Sequence, residues 1–195
     1  MSTVTIAPIV EGHGEQKAVG DLLRRVAGEY AEAWDVNVAQ PFRLDSAKMR
    51  KPDELARAVM LQSRRVPDRG GVLVLRDGDD KGITCPVELA RSIAPDPALA
   101  RCPVEVVIAC PEYEAWFLAA AESLRGHSAM RADAVAPDGP EAKRDAKAQL
   151  NALMTEPYRE TLHQVKFTAT MDMRAVEERS RSFRRLVHAV RLLVG

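Results

Sequence analysis

Val4-Thr-Ile-Ala-Pro-Ile-Val-Glu-Gly-His-Gly-Glu15 is the stretch on which the reading of the fold turns. Val4 to Val10 is almost continuously apolar, which suits a strand buried on both faces of a parallel sheet. Pro8 sits awkwardly there, because it has no N–H to give to a ladder. The run stops at Glu11-Gly-His-Gly. From Val19 onward Leu22, Leu23, Val26, Ala27, Tyr30 and Ala33 recur at helical spacing, which predicts a helix over about Glu15 to Trp34. A strand, an acidic glycine-rich turn and a helix open the chain.

The alternation continues downstream. Val36-x-Val38 and onward to Leu44 predicts a second strand, and Lys51-Pro52-Asp53 opens a second helix with Leu55, Val59 and Met60 on one face, proline being tolerated in a first turn. Gly70-Gly71 leads into a strand over Val72–Leu75 that ends at Arg76-Asp-Gly-Asp-Asp80. Pro86 to Ala94 reads as a helix and Val104 to Ala109 as a strand. Pro111 is expected to start the helix carrying Glu112, Glu114, Trp116 and Phe117. Strands alternating with helices predict an α/β fold, with a central, mostly parallel, Rossmann-like sheet and helices on both faces.

After Ala121 the pattern changes. Residues 125–140 hold Gly126, Pro137, Gly139 and Pro140 and read as a loop. Helices are expected over about Pro140–Met154 and Met171–Val194, the latter marked by the stripe Val176, Phe183, Leu186, Val187, Val190 and Leu193. The chain therefore divides into an α/β core, residues 1–122, and a loop with C-terminal helices, residues 123–195, packed on the same domain.

Composition bounds the function. The chain has 195 residues, enough for one domain, with 46% hydrophobic and 29% charged residues, the profile of a soluble globular protein. No apolar run approaches the roughly 18–20 residues of a membrane helix, so no membrane is expected as a partner. The N-terminus has no basic region and reads as a strand, not a signal peptide. Three cysteines without a Cys-x-x-Cys pair speak against a disulfide framework or zinc knuckle and for a cytoplasmic location. Net charge is zero, so the total gives nucleic-acid binding no support. Its distribution is uneven: residues 1–122 carry 15 Lys+Arg against 19 Asp+Glu, and residues 123–195 carry 13 against 9.

In a doubly wound sheet, ligands bind beyond the carboxyl ends of the strands. Glu11 follows the first strand, Asp77 and Asp79 the third, and Glu112 and Glu114 the fourth. Acids brought to one edge from three strands repel one another and raise each other's pKa unless a cation neutralises them. Oxygen-only ligands favour a hard ion, Mg²⁺ or Mn²⁺. Other readings stay open. Asp-Gly-Asp-Asp is also the composition of a plain turn, Glu15 suits the first turn of a helix through its charge alone, and His13 suits a surface loop. Gly12-His-Gly lacks the third glycine of a dinucleotide fingerprint and the Gly-Lys-Ser/Thr of a Walker loop, so ATP hydrolysis would need a partner. Glu112 and Glu114, two residues apart, cannot both point at one ion from a helix. Arg179, Arg181, Arg184 and Arg185 could contact a nucleic-acid backbone or form the wet face of the last helix.

Glu11 after a first strand, followed by Asp77-x-Asp79 after a later one, resembles the Toprim domain of topoisomerases, bacterial primases and the overcoming-lysogenisation-defect nucleases. Glu112-Tyr-Glu-Ala-Trp-Phe-Leu118, Pro140-Glu-Ala-Lys-Arg-Asp-Ala-Lys147, Tyr158, Glu160-Thr-Leu-His-Gln164 and Ser180-Arg-Ser-Phe183 together resemble an uncharacterised bacterial family of stand-alone Toprim-like proteins, often encoded beside AAA-type ATPases. The resemblance covers nearly the whole chain. It implies that Glu11 is a general acid/base or metal ligand, that Asp77 and Asp79 hold the ion, and that Glu15 and Glu114 are further acids near it. Lys147, or Lys143, would stabilise charge on a phosphate.

The chemistry expected of such a site is metal-dependent phosphodiester hydrolysis, a nuclease acting on DNA more readily than RNA, with a partner ATPase in a defence or repair system. Two ions about 4 Å apart can activate water and stabilise the leaving oxygen. Glu11, Asp77 and Asp79 would hold one, while Glu15, Glu114 and Asp80 help with a second. Two other classes remain: a non-enzymatic metal-binding subunit of an AAA-type ATPase, docking through Trp116, Phe117 and the last helix, and a nucleotide- or phosphate-binding domain without turnover.

Overall fold

Val4–Val10 forms strand β1, buried along its whole length. On one side it pairs with β2 (Val36–Val38) and β3 (Phe42–Arg43), on the other with β4 (Arg69–Asp77), which pairs in turn with β5 (Val104–Ala109). Every pairing is parallel, and the spatial order is β2-β1-β4-β5 with β3 following β2 along β1. The computed structural model describes residues 3–80, 85–142 and 145–195; Lys143 lies outside them.

Pro8 is tolerated in the middle of this sheet because the sheet is broken opposite it. The strand expected over residues 36–44 is two short strands. Ala39 N–H donates to Ile6 O at 2.9 Å and Leu44 N–H to Val10 O at 2.9 Å. Between these two rungs the Pro8 carbonyl accepts from Gln62 Nε2 at 2.8 Å, and the same nitrogen reaches Gln40 O at 3.1 Å. Gln62 is fully buried. A side-chain amide thus satisfies the Pro8 carbonyl where the break between β2 and β3 leaves it without a strand donor. At the far end of the sheet Gly70 has φ +115, and a Cβ there would lie 1.9 Å from Thr5 O, so only glycine fits.

Helices α1 (His13–Ala31), α2 (Ser46–Met49), α3 (Pro52–Ser63), α4 (Pro86–Ile93) and α5 (Glu114–Ala119) follow the strands. The C-terminal region adds α6 (Ala146–Ala152), a wide helical turn over Glu160–Gln164, α7 (Val165–Thr170), α8 (Met173–Arg179) and α9 (Arg181–Val194). Two hydrophobic clusters lie on the two faces of the sheet. One joins Leu73 and Leu75 to Leu22, Val26, Trp116 and Phe183; the other joins Val72 and Val74 to Ile9, Leu55, Val59 and Leu89.

Several expectations need correcting. The peptide Cys110–Pro111 is cis, and the helix begins at Glu114 instead of Pro111. The helix expected over residues 171–194 breaks at Ser180, whose Oγ accepts from Phe183 N–H at 3.0 Å and starts α9 afresh. The stretch 160–170 is helical although no helix was expected there. Trp116 and Phe117 cannot be docking surfaces, because both have no exposed area. Trp116 instead donates its Nε1–H to Ser182 Oγ at 2.9 Å and meets Phe183 edge-on, ring centroids 5.4 Å apart. The C-terminal helices are thereby part of the same core. Among the described residues no helix is long and apolar enough to cross a membrane.

Candidate functional site

Successive side chains of a strand point to opposite faces, and at the end of β4 this sorts two charges. Arg76 continues the Val72–Val74 face and Asp77 the Leu73–Leu75 face. On the Asp77 face α1 contributes Glu15 from its first turn, α5 contributes Glu114, and α6 contributes Lys147. Asp77 Oδ1 accepts from Tyr113 N–H at 2.9 Å. The residue keeps some surface open, but its carboxyl is packed round by protein, and burial pushes its pKa well above the usual range. The charges of Glu15, Glu114 and Glu11 add to that rise, while Lys147 opposes it.

Glu114 has no exposed area. Its Oε1 accepts from the Tyr158 hydroxyl at 2.9 Å. Burial pushes its pKa up to about 7 despite Lys147. Glu15 is 8% exposed; its Oε1 lies 3.4 Å from Gln164 Nε2, and its Oε2 folds so closely over Gly12 that a Cβ there would come within 2.1 Å. Lys147 Nζ sits 2.7 Å from Glu160 Oε1. Burial works against its charge, yet Glu114, Glu160 and Asp77 outweigh that and raise its pKa. Glu112 is spent differently. Its Oε2 accepts from the Lys147 backbone N–H at 3.2 Å and so anchors the start of α6.

The Arg76 face is already charge-paired. The Arg76 side chain has no exposed area, its Nε lies 3.6 Å from Glu11 Oε2, and its Nη2 contacts Asp80 Oδ2 and, at 3.2 Å, Ser46 Oγ. Asp80 is also held by Arg50 at 3.3 Å, so its carboxylate has two arginine partners. Burial raises the Glu11 pKa, with Arg76 opposing and Asp79 adding to the rise. Asp79 is exposed. Asp77 thus feels the charges of Glu15, Glu114 and Glu11, in that order, while Glu11 faces Arg76 and feels Asp79.

Three buried carboxylate oxygens have no hydrogen-bond partner: Glu11 Oε2, Glu15 Oε2 and Glu114 Oε2. Buried acceptors are nearly always satisfied, and leaving one bare costs about 1–3 kcal/mol. A proton or a cation meets that need. The donors are all oxygens, which suits a hard divalent ion. Among the described residues no three His, Cys, Asp or Glu side chains stand close enough together to hold an ion as placed, so the acids are gathered around Asp77 without being closed onto one point. The sequence alone assigns no role to Arg76, Tyr158 or Gln164. An arginine directly before Asp77 at the end of a buried run was a usable signal for the first. Tyr158 and Gln164 lie in a region whose path the sequence does not disclose.

The four arginines differ in how far their side chains are committed to partners within the fold. Arg179 pairs with Glu122 and the Ala119 carbonyl, each at 2.8 Å. Arg184 donates to the carbonyls of Glu177 and Glu178, and Arg185 pairs with Glu105. Arg181 is exposed and, among the described residues, its guanidinium has no recorded partner. With Arg185 and Arg91 it lines a cavity of about 880 Å³ between α4, β5 and α9. His13, the first residue of α1, is exposed, as a surface residue would be.

Residues 10–191 match the family model described as Domain of unknown function (DUF4276). No curated protein and no solved structure matches the chain.

Proposed function

The chain belongs to the DUF4276 family, and we propose that it is a divalent-metal-dependent phosphodiester hydrolase acting on nucleic acid. The observation that carries this reading is the pair of buried, unpartnered carboxylate oxygens on Glu15 and Glu114, whose charges act most strongly on Asp77. An ordinary structural cluster of acids would be hydrogen-bonded away. The resemblance of Glu11 and Asp77-x-Asp79 to Toprim nucleases supports the same chemistry.

Glu15, Asp77 and Glu114 would hold Mg²⁺ or Mn²⁺, which supplies Lewis-acid polarisation of a phosphoryl oxygen and a more acidic water. Lys147, kept charged by its acidic neighbours, offers positive charge to the pentavalent phosphate. Glu11, whose pKa is raised by burial, would take part in proton transfer. DNA is the preferred substrate in this reading, the cytoplasm its location, and an AAA-type ATPase its partner. The chain itself has no Walker loop.

The test compares wild type with Asp77→Asn on single-stranded DNA, double-stranded DNA and RNA, with Mn²⁺ or Mg²⁺ present, and measures metal binding by calorimetry. Metal-dependent cleavage lost in the variant is the expected result. Metal binding that survives the combined change Glu15→Gln and Asp77→Asn unaltered would remove the site.

A further inference from the structure

We infer that Arg76 is a resident cation that takes the place of a second metal ion, so that a single divalent ion, on the Asp77 side, completes the site. This rests on the metal reading above and departs from a two-ion arrangement.

The charges on the two faces of the sheet are balanced differently. On the Arg76 face Glu11 and Asp80 stand against Arg76 and Arg50, leaving no net charge before the exposed Asp79. On the Asp77 face Glu15, Asp77 and Glu114 stand against Lys147, which is itself shared with Glu160. Four acids on that side face a single lysine, so it holds more carboxylate than resident positive charge, unlike the Arg76 face.

A guanidinium stays protonated in any protein environment, and the Arg76 side chain, with no exposed area, cannot swing out to water. A dication beside Glu11 would face this fixed charge at low effective dielectric, where like charges repel strongly. The geometry leaves Arg76 capacity to spare. Its Nε and Nη1 have no hydrogen-bond partner, and neither has Glu11 Oε2 at 3.6 Å from that Nε. A fixed guanidinium with free N–H groups next to a phosphoryl site supplies part of the electrostatic stabilisation that a second ion would bring.

The experiment is Mn²⁺ titration of the whole protein by calorimetry, joined to crystals grown with Mn²⁺ and read by anomalous scattering. Wild type is expected to hold one ion per chain, against Glu15, Asp77 or Glu114. Glu11→Gln should leave stoichiometry unchanged, whereas Asp77→Asn should weaken binding at least about tenfold, since even the loss of an outer partner costs that much. Arg76→Lys should stay at one ion, and Arg76→Met, which strips Glu11 and Asp80 of their buried counter-charge, should rise to two. Two ions in wild type with one touching Glu11, or a folded Arg76→Met that stays at one, overturns the inference and leaves the metal reading standing. No bound ion at all overturns both.

Discussion

The hydroxyl of Tyr158 lies 2.9 Å from Oε1 of Glu114, a carboxyl 44 residues earlier that has no contact with solvent. This bond satisfies only half of a group whose other oxygen is bare. Burial raises the Glu114 pKa from 4.5 to about 7. A carboxyl that binds its proton more tightly in the folded state favours folding below its unfolded pKa and loses that advantage as pH rises. The metal-free protein should therefore lose stability between about pH 4.5 and pH 7, by about 3 kcal/mol from this group alone. Urea unfolding in EDTA across that window checks it. Glu114→Gln should flatten the profile, and a wild-type profile as flat as the variant's would contradict the assignment.

Tyr158→Phe removes the hydroxyl that donates to Glu114 Oε1. At pH 8, where the carboxyl is ionised, the loss should cost about 1–3 kcal/mol. At pH 5, with Glu114 protonated, the cost should be smaller, and the pKa of Glu114 should move further up because the bond to its charged form is gone. The difference between denaturation midpoints at the two pH values measures this.

Gln62→Leu should cost about 1–3 kcal/mol, because the buried Pro8 carbonyl loses its donor, which it shares with the part-buried Gln40 carbonyl. Amide exchange at Ala39 and Leu44, the rungs either side of the gap, should accelerate. The same residue marks the limit of what sequence discloses. Strand order of apolar runs, the helix after Glu11 and the acids at strand ends are all visible in periodicity and turn residues. That Pro8 belongs in a central strand is not, because its acceptance depends on a side chain from α3 and a break between β2 and β3. Likewise Arg76 and Asp77 are read together in sequence, while strand alternation sends them to opposite faces with different partners.

Glu141 is a second long-range anchor. Its carboxylate accepts from the backbone N–H groups of Arg181 and Ser182 and from the hydroxyls of Ser180 and Ser182, so it fills the N-terminus of α9. Glu141→Ala should cost about 2 kcal/mol through lost capping and lost interaction with the helix dipole. Glu141→Gln, which keeps an acceptor and loses the charge, should cost about half as much. Thermal unfolding of the two variants orders them, and equal losses would mean that the charge contributes nothing.

Arg179, Arg181, Arg184 and Arg185 are adjacent in sequence, and adjacency does not tell which of them is already committed to internal partners. Arg179, Arg184 and Arg185 are held by Glu122, by the carbonyls that end α8, and by Glu105. Only Arg181 keeps its guanidinium free of recorded partners among the described residues, and it shares a cavity with Arg185 one helical turn away. If this surface meets a nucleic-acid backbone, Arg181→Ala should weaken DNA binding and lower the slope of log affinity against log salt by roughly one, the signature of one lost phosphate contact. Arg184→Ala should leave both quantities unchanged, because its side chain is occupied with Glu177 and Glu178. Fluorescence anisotropy with labelled DNA at several salt concentrations separates them. An unchanged slope in Arg181→Ala, or equal effects in the two variants, would place the phosphate contacts elsewhere on the molecule.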